Sequence, residues 1–447
     1  MRAPSEPAFG QDYAIDNDPV SGDYGATEWL SRRSMRRGEE TVDVAVALPE
    51  PLIKYAGQIM DVDSHEMVPL QEWEAVYGPV VRPVFDAWSE KTETDEDNKN
   101  SPNVPGYPGD TAPIGEDIAT RKGCRAPGAR DPERRLGAMD AMGIGKQLIF
   151  STYVGSFALV MMMNPRDREF MRSIQDDRPG LATRLLETYH EWVIGVGRIS
   201  DRLRPVAPLY ADTPAAMVEK ATSLIGRGIR AIQIGAAGLP GKVSPAHPDL
   251  DPFWKLLTDA KCTLVLHIGC GGQFFETRDW GKAPAFEGFR NMGEFDVDPW
   301  SLAVLHLPYQ NFVSTMISGG VFDRHPDLKV GVIEVGAHWV GPMMEALDLW
   351  YMNSRAFKKL TGENYRLPEK PSYYVKNNLR VTPFVFEPVD SYIERYGLED
   401  VLCFSSDYPH AEGGRNMLHS FYGKIERLGP EIVEKFFVTN GRTLLPD

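Results

Sequence analysis

Five side chains of this 447-residue chain could do metal chemistry together, and they stand at or near the ends of apolar runs. The stretch Gln58-Ile59-Met60-Asp61-Val62-Asp63-Ser64-His65-Glu66 is apolar and then turns abruptly to acids and a histidine. Read as a strand, it places residues two apart on one face. Asp63 and His65 then point the same way, with Asp61 before them on that face. A carboxylate beside an imidazole is half of a metal site. Thr263–His267 is a second apolar run and ends in His267; Leu328–Val335 carries Glu334 near its end; Val401–Ser405 is followed at once by Asp407. A strand that simply turns polar at solvent gives such an ending once. Its repetition at several strand ends points to a metal. A divalent ion held by imidazole and carboxylate keeps open positions and acidifies bound water, and a neighbouring carboxylate can act as base.

For these ends to meet, the strands must be parallel and joined by helices. Asp131–Met142 reads as a helix with Pro132 in its first turn, stopped by Gly143-Ile144-Gly145. Lys146–Ser151 reads as a strand, about Leu181–Leu203 as a helix, Pro205–Leu209 as a strand and Thr213–Arg227 as a helix. Arg230–Gly235 follows as a strand, His247–Ala260 as a helix, then the Thr263–His267 strand and the Pro299–Gly320 helix. After the Leu328–Val335 strand come a helix at Trp339–Trp350, a strand at Leu379–Thr382, a helix at Pro388–Tyr396 and the Val401–Ser405 strand. Eight strands alternating with helices over roughly 380 residues predict an α/β fold, a (β/α)8 TIM barrel. An open doubly wound sheet is the competing layout, but no Gly-rich nucleotide fingerprint follows a strand. In a barrel the C-terminal strand ends converge on one axis, which is where the acids and histidines stand.

Residues 1–57 are polar and rich in Gly, Pro and Ser, and are expected to form an extension or arm. Residues 58–447 form the barrel domain, interrupted after the first strand by an insertion at about 75–128. The centre of that insertion, Glu90–Lys99, is charged; on the active face of a barrel such a loop is a lid or a substrate wall. Lys and Arg number 48 against 63 Asp and Glu, a net charge of −15 with no long basic run, which argues against nucleic acid as a partner. The four cysteines (Cys124, Cys262, Cys270, Cys403) are scattered without a C-x-x-C, the pattern of a reduced, cytoplasmic protein. No apolar run reaches the length of a membrane span, so no membrane partner is expected. Ser31–Arg37 resembles a twin-arginine signal, but acidic Gly38–Asp43 follows in place of an apolar segment.

Val401-Leu402-Cys403-Phe404-Ser405-Ser406-Asp407-Tyr408-Pro409-His410 is similar to the last-strand motif of the amidohydrolase-related family, in the branch of aminocarboxymuconate semialdehyde decarboxylase and the resorcylate-type decarboxylases. Gly319–Leu328, Glu334–Trp339 and Asp61–His65 resemble the same family. The resemblance runs from about residue 58 to the C-terminus, leaving out the insertion. It implies that Asp63-Ser64-His65 corresponds to the family's H-x-H, His267 to its strand-five histidine and Asp407 to its strand-eight aspartate. These would hold the metal, and Asp407 would also move a proton. Asp63 departs from the first histidine of H-x-H, as acidic residues do in decarboxylase relatives. Glu334 stands where many relatives carry a strand-six histidine that assists hydrolysis or decarboxylation.

Glu334 lies four residues before His338. If the following helix turns inward, both reach one metal region. Asp63, His65, His267, Glu334, His338 and Asp407 then hold one or two ions, and this thiolate-free set suits Zn, Mn or Fe. The resemblance implies a metal-dependent hydrolase or non-oxidative decarboxylase acting on a small organic acid, with Asp407 moving the proton; Glu334 and His338 are the other catalytic candidates. The alternatives are a dinuclear Fe or Mn/Fe oxygenase and a non-catalytic partner subunit. A homodimer is expected, with a hetero-oligomer as the other possibility. Candidates for substrate binding are His306, His410, Trp300 and Arg278, with Arg290 a second guanidinium for a carboxylate; His410, close after Asp407, reads equally as a support for the metal ligands. Phe274, Phe275, Trp280, Trp300 and Tyr309 could wall an apolar pocket or pack loop on barrel. His247, His325 and Cys270 read as structural, His190 and His419 give no signal, and no G-x-S-x-G nucleophile elbow is present.

Overall fold

The computed structural model describes residues 33–37, 40–44, 47–94, 113–115, 117–164, 170–271, 280–281, 283–286, 298–361, 367–410 and 412–447. Phe274, Phe275, Arg278 and Arg290 lie outside the described residues. Within the N-terminal extension, strands β1 (Arg33–Arg37) and β2 (Glu40–Val44) pair antiparallel.

The other strands are parallel. β3 (Ile59–Asp61) and β4 (His65–Glu66) both pair with β5 (Ile144–Ser151), whose eight residues are all buried. Burial on both faces is what a parallel strand covered by helices requires. β6 (Leu203–Pro205) pairs with β5, and β7 (Ala207–Pro208), one residue further on, pairs instead with β8 (Ala231–Gln233). β8, β9 (Thr263–His267), β10 (Val330–Ile333) and β11 (Leu379–Val381) follow in order. Residues 401–408 form no ladder. Leu402 makes a single parallel bridge to Val381 and Tyr408 another to Ser64. Val62 N donates to Phe404 O (3.3 Å), His65 N to Tyr408 O (2.8 Å) and Asp407 N to Asp63 O (2.9 Å).

A small apolar cluster fills the space on one side of the strands. Met60, Leu148, Val206, Ala231, Val265, Ile333 and Cys403 meet there, one from almost every strand segment, with Leu444 and Leu445 of the C-terminus among them. A larger core lies between strands and helices.

The helices differ from expectation in ways the residues explain. Val154–Met163 is a helix that the sequence reading left unassigned; VGSFALVMMM is apolar around its whole circumference and shows no amphipathic period. The next helix runs Arg178–Gly197 and stops before Leu203, which is already in β6. The Pro299–Gly320 stretch divides into Pro299–Val304 and Leu307–Ser318, with Pro308 in the first turn of the second. The helix expected at Trp339–Trp350 runs Val340–Thr361. Among the described residues no helix is long and apolar enough to cross a membrane.

Candidate metal centre

Asp61, Asp63 and His65 do not share one continuous strand face, because the strand is interrupted between Asp61 and His65. Asp61 turns to the neighbouring chain segments. Its carboxylate accepts from Ser406 N (2.9 Å), Ser406 Oγ (2.6 Å), Gln147 Nε2 (2.7 Å) and Asp63 N (3.3 Å). Burial pushes this carboxyl up to about 7, against the donors that favour the anion. Asp61 thus ties β3 and β5 to the loop that carries Asp407. Arg135, 1% exposed, does similar work: its guanidinium donates to His65 O and, at 3.4 Å, to Tyr408 O, and covers the Tyr408 ring at 5.2 Å.

Beyond these ties, Asp63, His65, His267, Glu334, Asp407 and His410 come together, all buried. His65 Nε2 lies 3.4 Å from Asp63 Oδ1, 3.5 Å from Asp407 Oδ1 and 3.8 Å from Glu334 Oε2. His267 Nε2 lies 3.4 Å from Asp63 Oδ1 and 3.2 Å from Glu334 Oε2. His410 Nδ1 is 3.2 Å from Asp407 Oδ1, and its ring stacks on His65 at 3.7 Å between centroids. Two overlapping groups result, Asp63–His65–His267–Glu334 and His65–Glu334–Asp407–His410, each with its four ligand atoms within 4.8 Å of one another. Glu334 and Asp407 both have left-handed backbones (φ 57° and 48°). For a non-glycine residue that costs on the order of 1 kcal/mol and is retained where surrounding structure enforces it. Here Thr382 Oγ1 accepts from Glu334 N at 2.8 Å, and Asp407 O accepts from His410 N at 2.8 Å.

These residues fit a divalent ion. Both ring nitrogens of His65 and Asp407 Oδ1 are buried without a hydrogen-bond partner, although buried polar groups are nearly always satisfied. Metal bonds of about 2.1 Å leave neighbouring ligand atoms roughly 3.0–3.4 Å apart, close to the spacings found. Burial, then His410 and His267, holds the His65 imidazole well below its usual range, so it keeps a lone pair for a cation.

His338 is not brought into this cluster. A helical turn would have set it beside Glu334, but the left-handed Glu334 and Gly336 (φ 57° and 70°) turn the chain away. The His338 side chain is 47% exposed, with Nδ1 3.5 Å from Glu387 Oε1 and its ring against His306 at 4.8 Å. His306 is half-buried and Trp300 likewise, and neither lines the cavity described below. Trp280 is 67% exposed. Tyr309 works from behind: its hydroxyl donates to His267 O at 2.8 Å. Phe150 packs on the His267 ring at 4.3 Å.

A cavity of about 280 Å³ opens beside the cluster, with His65, His267 and His410 in its wall. Trp88, Tyr153, Phe157 and Phe170 form the apolar side, joined by Ser151, Thr152, Ile268, Gly269 and Cys270. Sequence reasoning sought the aromatic wall after the Thr263–His267 strand, where Phe274 and Phe275 lie outside the described residues. Among the described residues the wall comes from the segment after β5 and from the insertion, and the rule that loops after strand ends line the site would have found Tyr153 and Phe157. Lys122 was also missed. Its Nζ is buried without a hydrogen-bond partner, 6.0 Å from the centre of the Tyr408 ring. Burial pushes its ammonium down to about 8, while Asp407 and Glu412 pull the other way. Cys270 lines the cavity, but burial pushes its thiol up to about 12, which leaves it inert.

Glu66, beside His65, is 2% exposed and accepts from Val68 N at 3.2 Å. Burial pushes its carboxyl from 4.5 up to about 7. The folded chain then keeps a proton that the unfolded chain releases, so this contribution to stability is full below about pH 4.5 and is lost as pH rises to 7. Glu66→Gln is expected to remove up to about 3 kcal/mol of that pH dependence. Urea unfolding midpoints of the two proteins at pH 5 and pH 8 check it; parallel changes would show that Glu66 titrates normally.

A family model described as Amidohydrolase matches residues 154–446. Solved structures of similar fold include an amidohydrolase from Mycobacterium avium subsp. paratuberculosis, at 18% identity and TM-score 0.56, covering 87% of this chain and 99% of that one. The 5-carboxyvanillate decarboxylase of Sphingomonas paucimobilis matches at 18% identity and TM-score 0.53, covering 87% of this chain and 98% of that one. A 5-carboxyvanillate decarboxylase from Novosphingobium aromaticivorans, complexed with manganese and 4-hydroxy-3-methoxy-5-nitrobenzoic acid, matches at 17% identity and TM-score 0.51, covering 87% and 96%. At these identities the likeness is one of fold.

Proposed function

The chain belongs to the amidohydrolase family, and from that premise we propose that it is a metal-dependent, non-oxidative decarboxylase of a small acid that carries an aromatic ring. One observation carries the reading: His65, His267 and His410 belong both to the imidazole–carboxylate cluster and to the wall of an aromatic-sided cavity. Its volume of about 280 Å³ suits a single-ring acid, being near the lower end of ligand pockets. Among the described residues no Arg or Lys lines it, and the cation is the partner we propose for the substrate carboxylate. The 5-carboxyvanillate decarboxylases of similar fold support the same class of substrate.

We read the strands from β3 round to β11, continued by residues 402–408 back to residues 62–65, as a closed (β/α)8 barrel. The bridges at Val381–Leu402 and Ser64–Tyr408 support this closure, which sets the strand ends on one axis. Residues 1–57 are then an arm and 58–447 the catalytic domain.

Asp63, His65, His267 and Asp407 would hold the ion, with Glu334 between them. The two candidate groups share His65 and Glu334, and a ring nitrogen has one lone pair to give, which favours a single Mn, Zn or Fe. When bound, the ion supplies polarisation of the substrate's oxygens. Asp407 handles the proton. As the bond between ring carbon and carboxylate breaks, its electron pair stays with the ring, the carbon takes a proton, and carbon dioxide leaves. The cavity's aromatic side holds the ring and excludes water. The cavity's own nucleophiles are otherwise engaged: Ser151 Oγ accepts from Gly155 N at 2.9 Å, Ser156 Oγ donates to Ser151 O at 2.6 Å, and the Cys270 thiol is inert. The dinuclear oxygenase alternative relied on Glu334 and His338 together; Glu334 belongs to the cluster, but His338 faces Glu387.

The protein is expected to release carbon dioxide from hydroxylated benzoic acids under argon, to lose this with a chelator and to regain it with Mn²⁺. A panel of esters, amides and lactones runs in parallel. Hydrolysis without decarboxylation would replace this reading with the hydrolase one, and a requirement for oxygen would replace it with the oxygenase.

A further inference from the structure

We infer that Thr152 is a positioning residue that fixes the tautomer of His410 and so makes His410 Nδ1 a ligand atom of the metal centre. The inference rests on the metal-centre reading but not on decarboxylation. Thr152 follows the last residue of β5, at the cavity wall. Its Oγ1 donates to the carbonyl of Glu66 and lies 3.0 Å from His410 Nε2. A hydroxyl has one proton to give. With that proton on Glu66 O, Thr152 Oγ1 can only accept from His410, so Nε2 carries the N–H. In a neutral imidazole the lone pair is then at Nδ1.

The position of Nδ1 gives this consequence. It sits 3.2 Å from Asp407 Oδ1, an atom that is buried and without a hydrogen-bond partner. His410 also offers a ring nitrogen within 4.8 Å of the ligand atoms of His65 and Glu334. The ring cannot swing away, being 2% exposed and stacked on His65 at 3.7 Å with 23° between planes. Metal-bound histidines ordinarily donate their second ring N–H to a fixed acceptor, and losing that acceptor weakens metal binding. The acceptor here is itself anchored to the peptide that follows His65. One hydroxyl therefore sets His410 in register with the histidine it stacks on. His410 then serves the cation directly, where sequence reasoning left it between meeting substrate and supporting the metal ligands.

The test uses full-length protein stripped of metal and titrated with Co²⁺, by calorimetry and by visible absorption. Thr152→Val is expected to weaken Co²⁺ binding about 10–100-fold and to change the absorption bands. Thr152→Ser keeps the acceptor and should match the wild type in both. His410→Phe should lose at least as much, and adding Thr152→Val to it should cost nothing more. Wild-type affinity and spectrum in Thr152→Val would overturn the proposal, as would additive losses in the double variant. If Thr152→Val does not fold, His410→Phe decides: unchanged Co²⁺ affinity and spectrum there excludes His410 as a ligand. All readouts are binding and spectroscopy, so they stand whether or not the enzyme proves to be a decarboxylase.

Discussion

Asp407→Asn is expected to leave a folded protein that has lost roughly 10²–10⁴-fold in the rate of carbon dioxide release, the range associated with a positioned general acid or base. The substitution is nearly isosteric. The backbone bond from Asp407 N to Asp63 O at 2.9 Å is untouched, and the left-handed backbone at φ 48° is one that Asn accepts readily. What changes is the head group. An amide neither takes up and releases a proton near neutral pH nor balances a cation as a carboxylate does. The assay is carbon dioxide release at saturating Mn²⁺, with metal content measured on the same sample. Activity within tenfold of wild type at equal metal content would remove Asp407 from the proton-transfer step. A variant with no metal would show that its chief work is holding the ion.

The strand ends were legible because an isolated charge after an apolar run is unusual, and several such runs shared one pattern. Thr263–His267 was read with the boundaries it has in the fold. Of the site residues, His267 ends a ladder strand and His65 opens the two-residue β4, while the others stand in the short breaks and turns just beyond parallel pairing. What the sequence hid was local backbone geometry. Nothing in Glu334-Val335-Gly336-Ala337-His338 announces two left-handed residues, yet these separate Glu334 from His338. Asp61 looked like a third member of a strand face; the break before His65 turned it into an anchor for Ser406. The Val154–Met163 helix was hidden by uniform hydrophobicity, and its Phe157 with it. Lys122 and Trp88 belong to the insertion, where no period guides a reader and only packing against Tyr408 or Tyr153 reveals them. His410 was visible as a neighbour of Asp407, but its role depends on Thr152, 258 residues away in sequence.

His65→Ala is expected to abolish stable metal binding, because His65 alone among the histidines belongs to both four-residue groups. Losing it removes a nitrogen from every arrangement the cluster allows. It also leaves Asp63, Asp407 and Glu334, whose oxygens stand within 3.8 Å of His65 Nε2, around a gap where a ligand nitrogen stood. The affinity loss should exceed the roughly 100-fold upper range for losing only an outer hydrogen-bond partner. Elemental analysis after gel filtration should find about one ion per chain in wild type, and close to none in the variant. Thermal melting gives a second readout. Metal that binds only the folded chain raises the melting temperature by mass action, so a chelator should lower it in wild type and leave His65→Ala unchanged. His338→Ala is the control, since that side chain is 47% exposed and held at Glu387; it should bind metal as wild type does. If His338→Ala lost the ion and His65→Ala kept it, the metal centre would lie at the Glu387 side of the molecule, and both the ligand set and the proton role given to Asp407 would fall with it.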